Sequence, residues 1–135
     1  MAVVLDSNIW ISACVFRGRP LELVERGLDG SLDIVISQSI IDETLRVMKD
    51  KFRADPMELE RALAIMTTSA RTVDLAIQVR AVKDDPDDDH VVSCAVAAGA
   101  EAVITGDKDL LRMVSYEGIS MVRVRDFLER SQRKG

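Results

Sequence analysis

The chain has 135 residues, a length typical of one domain, so we expect a single domain over residues 1–135. Hydrophobic residues make up 47% and charged residues 30%, which excludes a disordered chain, a collagen-like repeat and a long coiled coil. The 18 Lys and Arg residues against 23 Asp and Glu give a net charge of -5. This balance disfavours a protein that coats nucleic acid by general phosphate neutralisation.

Cysteine usage and apolar run length indicate the compartment. Cys14 and Cys94 form no CxxC pair and lie in apolar stretches, so we expect buried free thiols. No basic region followed by a long apolar stretch follows Met1, and no apolar run approaches the ~20 residues of a membrane helix. We therefore expect a cytoplasmic protein with no membrane association.

Strands and helices alternate along the first half of the chain. Residues 2–5 predict a buried strand, and the turn and capping residues 6–8 then lead into a helix or a loop. Further predicted elements are a helix from 21 closed by Gly27 and Gly30, a strand at 34–36, and a helix from 40 to 48. Ser39 and Asp42 predict a weak capping box for the last of these helices.

The next helix has a stronger start signal. Asp55, Pro56 and Glu58 provide an N-cap, a proline at the first helical position and an acid at the third. After it we predict a strand at 71–73, a polar loop at 83–89, a helix from 91 to Gly99 and a strand at 102–104. The last elements are a short helix from 107 with Leu110 and Leu111 inward, a strand at 119–124 and a helix at 126–133.

The predicted strands are apolar on both faces, which is typical of a parallel sheet covered by helices on each side. The sequence therefore predicts an α/β fold with a central, mostly parallel sheet. In such folds ligands bind at the carboxyl ends of the strands.

Acidic residues fall at this predicted edge. Asp6 and Asp107 each follow a strand, Glu43 lies near the start of the helix after another strand, and the run 84–89 precedes a helix. Converging carboxylates repel one another, and a divalent cation relieves that repulsion. Oxygen ligands without a histidine cluster or paired cysteines favour Mg²⁺ or Mn²⁺ over zinc.

Four strings carry a family resemblance: Val4 to Asn8, Ile41 to Glu43, Asp85 to Asp88 with the Ala-rich helix that follows, and Ile104 to Lys108. Together, in this order and spacing, they resemble the PIN-domain family, and most closely the subgroup of toxins related to VapC. The resemblance implies a three-layer α/β/α sandwich and a metal-dependent ribonuclease. It also implies an antitoxin partner and a homodimer.

Carried over by motif, the resemblance implies that Asp6, Glu43, Asp88 and Asp107 are the catalytic and metal-binding acids. Asn8 and Thr105 match the polar positions that support them. Asp87, Asp88 and Asp89 compete for the third position, and the family spacing counted back from Gly99 favours Asp88. Asp85 and Asp87 are possible additional loop acids.

From these residues we expect one or two Mg²⁺ or Mn²⁺ ions over the scissile phosphate of an RNA substrate. Arg17 and Arg19, in the loop after the first acidic motif, are possible RNA contacts. We expect His90 to be a surface or capping residue, and Trp10 to serve packing or a protein contact rather than base stacking. A phosphoryl-accepting receiver-like domain fits less well, because it needs no acid at Glu43.

Three functions stay open within the family. The first is an endoribonuclease toxin of a type II toxin–antitoxin pair, and the second is a housekeeping nuclease of RNA processing. The third is a non-catalytic PIN-fold regulator that binds RNA or protein, which is disfavoured because all four acidic positions are filled.

Overall fold

A mostly parallel sheet forms the centre of the structure. The computed structural model describes residues 1–74 and 89–134. Its strands are β1 (Ala2–Leu5), β2 (Asp33–Ile36), β3 (Ala70–Thr72), β4 (Ala102–Ile104), β5 (Ser115–Tyr116) and β6 (Ile119–Val122). They lie in the order β3-β2-β1-β4-β6-β5, and only the short strand β5 runs antiparallel to its neighbour.

Helices cover this sheet. They are α1 (Ser7–Val15), α2 (Gly18–Leu28), α3 (Gln38–Phe52), α4 (Pro56–Ser69), α5 (Asp89–Ala98), α6 (Lys108–Met113) and α7 (Val124–Lys134). Helix α5 packs on β1, β2 and β4, whereas α1, α2, α3 and α4 pack on one another. All four residues of β1 are buried, as expected for a strand covered on both faces. The predicted α/β class with a mostly parallel sheet is confirmed. None of the helices described is long and apolar enough to cross a membrane.

The strand register brings distant residues of the chain to one edge. Leu5 of β1 lies opposite Ile104 of β4, so Asp6 and Thr105 follow side by side. The Asp6 N–H donates to the Ile104 carbonyl at 3.0 Å, and the Thr105 N–H donates to the Val122 carbonyl at 2.9 Å. The carboxyl ends of β1, β4 and β6 are therefore held level, where the sequence predicted the acids to meet.

Helix starts follow local capping chemistry, with one correction. Asp55 and Glu58 form the predicted capping box of α4, with Pro56 in the first turn. The cap predicted for α3 was wrong by two residues, because the hydroxyl of Ser37 and not that of Ser39 accepts from the Ile40 N–H.

Three boundaries near turns also differ from the sequence prediction. Helix α2 begins at Gly18 rather than at Leu21, since Pro20 is tolerated in a first helical turn. The last strand ends at Val122, and α7 begins at Val124. The short strand β5 was missed, because two residues carry too little periodicity to read.

Candidate functional site

Asp6 is a buried carboxylate at the end of β1, with 3% of its surface exposed. It occupies the N-cap position of α1 but makes no capping hydrogen bond with its side chain. Instead its two oxygens accept from the hydroxyls of Ser7, at 3.3 Å, and Thr105, at 2.8 Å. A capping role therefore does not explain why an acid is buried at this position.

Thr105 connects two of the predicted site acids. Its fully buried hydroxyl donates to Asp6 Oδ2 and accepts from the backbone N–H of Asp107 at 2.9 Å. The hydroxyl therefore fixes the rotamer of Asp6 and the path of the chain into Asp107. Asn8, the other predicted supporting residue, is exposed and makes no side-chain hydrogen bond to the described part of the chain.

Asp107 is the N-cap of α6. Its Oδ1 accepts from the backbone N–H groups of Asp109, at 2.8 Å, and Leu110, at 3.2 Å. Both of these hydrogen bonds use the same oxygen. Oδ2 therefore has no hydrogen-bond donor among residues 1–74 and 89–134, although the carboxylate itself is firmly positioned.

Glu43 faces the same edge from the second turn of α3. Its carboxylate forms an ion pair with Nε2 of His90, at the start of α5, when that imidazole is protonated. The hydrogen bond from His90 is the largest cause that holds the pKa of Glu43 below its usual value, and burial opposes it. The side chains of Ser7 and Arg46 lower the pKa of Glu43 further.

His90 was not expected at the site, and the prediction of a surface or capping residue was wrong. Its side chain is largely buried, and Nδ1 has no hydrogen-bond partner in the described structure. The one available signal was its position directly after the acidic run. Trp10, predicted as a packing residue, is fully buried, and its indole Nε1 likewise lacks a partner in the part described.

The three acids act on one another electrostatically. Burial is the largest cause that raises the pKa of Asp6, and the charges of Glu43 and Asp107 raise it further. The hydrogen bonds from Thr105 and Ser7 lower it but do not cancel the rise. The metal-free edge therefore carries more negative charge than its surroundings stabilise, which is the condition that a bound cation relieves.

The fit to a divalent cation rests on donor chemistry. Asp6, Glu43 and Asp107 offer carboxylate oxygens, the ligands that Mg²⁺ and Mn²⁺ prefer. The described residues alone contain no group of three or more His, Cys, Asp or Glu side chains placed to hold a metal ion. Asp85, Asp87 and Asp88 lie outside the described residues, as does the side chain of Asp89. The donor chemistry of Asp6, Glu43 and Asp107 therefore fits Mg²⁺ or Mn²⁺.

The remaining residues singled out in the sequence are two exposed arginines and two cysteines. Arg17 and Arg19 are exposed beyond the C-terminal end of α1. Cys94 is fully buried, and burial raises the pKa of its thiol to about 11. Cys14 is partly buried, and burial raises its pKa as well. Both cysteines are free thiols, as the sequence predicted.

Comparison with known proteins identifies the family. A profile described as "PIN domain" matches residues 2–109, which is most of the chain. The chain belongs to the PIN-domain family. No curated protein sequence matches this PIN domain at a significant level.

Two solved structures share the fold of this PIN domain. A chain of VapBC2 from Rickettsia felis, solved bound to a DNA fragment from their promoter, matches with a TM-score of 0.64 and 15% identity. That match covers 91% of this chain and 98% of the other. The PIN domain of T. brucei RRP44 matches with a TM-score of 0.52 and 13% identity, covering 99% of this chain and 82% of the other. The resemblance inferred from the four acidic motifs is thereby confirmed at the level of family and fold.

Proposed function

We propose that this PIN domain is a metal-dependent endoribonuclease that hydrolyses RNA phosphodiester bonds. The observation that carries the proposal is the buried Asp6 carboxylate, which Thr105 holds at the carboxyl edge of β1 within electrostatic range of Glu43 and Asp107. Burying a carboxylate beside two others is costly unless a cation is bound. Membership of a nuclease family supports the same activity.

In this proposal Asp6, Glu43, Asp88 and Asp107 hold one or two Mg²⁺ or Mn²⁺ ions. When bound, the metal supplies positive charge that stabilises the reacting phosphate and makes a nearby water more acidic. The chain's own residues fix the geometry. Thr105 orients Asp6, backbone N–H groups orient Asp107, and His90 restrains Glu43. The third acid stays a proposal for Asp88, with Asp85 and Asp87 as additional acids of the loop.

We further propose that the protein is the toxin of a type II toxin–antitoxin pair in the cytoplasm, with an antitoxin partner and a homodimeric state. The fold similarity to a chain of VapBC2 supports this assignment. The similarity to the RRP44 PIN domain supports a second candidate, a housekeeping nuclease. Growth arrest on expression, abolished by Asp6→Asn and relieved by a co-expressed neighbouring gene, would distinguish the toxin.

The activity itself is tested with the purified protein, single-stranded and structured RNAs, and Mg²⁺, Mn²⁺ or EDTA. We expect cleavage with metal, none in EDTA, and loss of cleavage in Asp6→Asn and Asp107→Asn. Thr105→Val should lose about 10- to 100-fold, because it removes a group that orients a ligand. The control is Asp42→Asn, an exposed acid beside Glu43 whose carboxylate accepts from Gln38. Cleavage that persists in EDTA, or in Asp107→Asn at the wild-type rate, would contradict the metal site.

A further inference from the structure

Helices α1 and α3 run side by side from the acidic edge to an exposed aromatic pair. Near their starts, the Ser7 side chain interacts with Glu43. At their ends, the rings of Phe16 and Phe52 lie 5.8 Å apart at an interplanar angle of 75°. The two residues of each contact are the same number of positions apart in the sequence. The two helices therefore run parallel, and their residues stay paired in one register from start to end. Nine residues of helix place the aromatic pair about 14 Å along the helices from the site.

Both rings are open to solvent, which is unusual for phenylalanine. Phe16 is 68% exposed and Phe52 is 42% exposed. Each is followed by an arginine with positive φ, Arg17 at 64° and Arg53 at 53°. A non-glycine residue with positive φ is uncommon and turns the chain sharply. The two helices therefore end in turns that present an aromatic ring next to an arginine.

Basic residues lie close to both rings in the sequence of a chain whose net charge is -5. We call Phe16 and Phe52, with the basic residues within three positions of them in sequence, the aromatic platform. These basic residues are Arg17, Arg19, Lys49, Lys51 and Arg53, all exposed, and Asp50 is the one acid among residues 16–19 and 49–53. None of the five forms an ion pair with any residue that the structure describes.

The first acid that follows each of these two segments in sequence has another partner. Glu22 pairs with Arg26 at 3.3 Å, and Asp55 accepts from the Glu58 N–H at 2.8 Å as the cap of α4. Neither of these hydrogen-bonding partners is one of the basic residues of the aromatic platform. The positive charge of the platform is therefore available to a polyanion.

We propose that the aromatic platform binds single-stranded RNA by stacking a base on Phe16 while the arginines and lysines contact the flanking phosphates. Base stacking needs one open ring face beside cations, whereas a docked protein helix needs a continuous apolar groove. Two exposed rings set edge to face, with exposed basic residues close to them in sequence, match the first requirement. The inference rests on the proposed ribonuclease function. It assigns a second contact for the RNA strand, at a distance from the bond that is cleaved.

The test measures anisotropy of a fluorescein-labelled single-stranded RNA in EDTA, so that binding is read without cleavage. Phe16→Ala should weaken binding about tenfold, as expected for one lost stacking contact, and Phe16→Trp should restore it. Phe16→Leu keeps an apolar side chain without a π face and should bind as poorly as Phe16→Ala. Leu28→Ala is the matched control, since Leu28 is 54% exposed at the end of α2, and should not change binding.

Charge is tested separately by salt titration. Arg17→Ala and Lys49→Ala should each lower the slope of log affinity against log salt by about 0.7, as for one lost phosphate contact with a single strand. Wild-type affinity in Phe16→Ala, or in Phe16→Leu, would overturn the stacking proposal. An RNA that binds through Phe16 but is never cleaved with Mn²⁺ would contradict the nuclease function alone. Cleavage with an unchanged KM in Phe16→Ala would contradict the platform alone.

Discussion

The Thr105 hydroxyl shows how one uncharged group organises a site made of charges. It is fully buried, donates to Asp6 and accepts from the Asp107 backbone. A hydroxyl both donates and accepts, so it can connect an acid on one strand to the chain leaving the next strand. A valine has nearly the same shape without these bonds, and would remove one of the two hydroxyls that hold the Asp6 carboxylate.

The pKa of Asp6 gives the metal-free protein a pH dependence whose sign follows from linkage. Burial and the neighbouring acids raise the folded-state pKa above the unfolded value. Between these two pKa values the folded chain binds more protons than the unfolded chain. The stability of the metal-free protein therefore falls as pH rises through the folded-state pKa of Asp6. Below the unfolded-state pKa, burial of Asp6 takes nothing from the free energy of unfolding through its charge.

We predict that Asp6→Asn raises the melting temperature of the metal-free protein at neutral pH, because it removes the uncompensated buried charge. The gain should disappear below the unfolded-state pKa, where Asp6 of the wild type is protonated. Added Mn²⁺ should reverse the ranking, since a metal at 100 times its Kd stabilises the wild type by about 2.7 kcal/mol and the variant loses a ligand. Thermal melts in EDTA and in Mn²⁺ across pH measure both effects.

Asp42→Asn serves as the control for this experiment, because Asp42 is exposed on α3 next to Glu43. It should change neither the metal-free melting temperature nor the response to Mn²⁺. A metal-free Asp6→Asn protein that melts below the wild type at neutral pH would contradict the argument. The hydrogen bonds from Ser7 and Thr105 would then outweigh the cost of burying the charge.

At the scale of elements, the sequence was informative where periodicity or capping chemistry was strong. The continuous apolar runs at 2–5, 34–36 and 102–104 predicted β1, β2 and β4, and the Asp55 and Pro56 start predicted α4. Strand β5 was missed because its pairing with β6 depends on a contact between strands. The Ser37 cap was missed because two serines flank Gln38, and only the backbone path selects between them.

Gly27 has a role in packing that the sequence did not reveal. It lies inside α2, although the sequence predicted that it would help close that helix. A Cβ at this position would lie 2.5 Å from the Ser69 carbonyl oxygen and 2.7 Å from the Ile34 side chain. The missing side chain therefore lets α2 approach the end of α4 and strand β2.

We predict that Gly27→Ala destabilises the protein by about 1–3 kcal/mol, the usual cost of overpacking, because the backbone of Ser69 cannot yield as a side chain can. Gly106→Ala is the matched control, since no atom lies within 4 Å of a Cβ placed there. Urea unfolding of both variants measures the free energies. If Gly27→Ala and the wild type had the same free energy of unfolding, the prediction would be wrong. Helix α2 would then be able to shift outward at no cost in stability.

Across the described part of the molecule, two groups of mostly like charge lie at opposite ends of α1 and α3. Carboxylates converge at the edge formed by the ends of β1 and β4, and basic residues collect at the far ends of α1 and α3. Net charge alone disfavours nucleic-acid binding, whereas the positions of these charges support the proposed RNA substrate. A small acidic protein can bind a polyanion when metal ions offset its acids and its bases lie together.

The candidate site was predictable to the extent that it lies at strand ends. Asp6 and Asp107 follow β1 and β4, and parallel pairing places such residues at one edge. His90 was not predictable, because its contact with Glu43 requires α5 to start beside α3. The choice among Asp85, Asp87 and Asp88 stays a prediction from family spacing, since these residues lie outside those the structure describes.

The sheet order makes a prediction about how the whole chain unfolds. Strand β1 lies between β2 and β4, so Val4 is paired with Val35 on one side and with Val103 on the other. The first and last thirds of the chain therefore share one ladder, and neither can separate without exposing fully buried residues of the other. Residues 1–135 should unfold as one cooperative unit.

Differential scanning calorimetry measures this cooperativity directly. We expect one transition with equal van't Hoff and calorimetric enthalpies. The usual enthalpy per residue predicts a value of about 95 kcal/mol at 60 °C. Val103→Ala should lower the midpoint without splitting the peak, because the cavity weakens both sides of the β1–β4 ladder together. A second transition, or a van't Hoff enthalpy well below the calorimetric one, would mean that the segments on the two sides of β1 unfold independently.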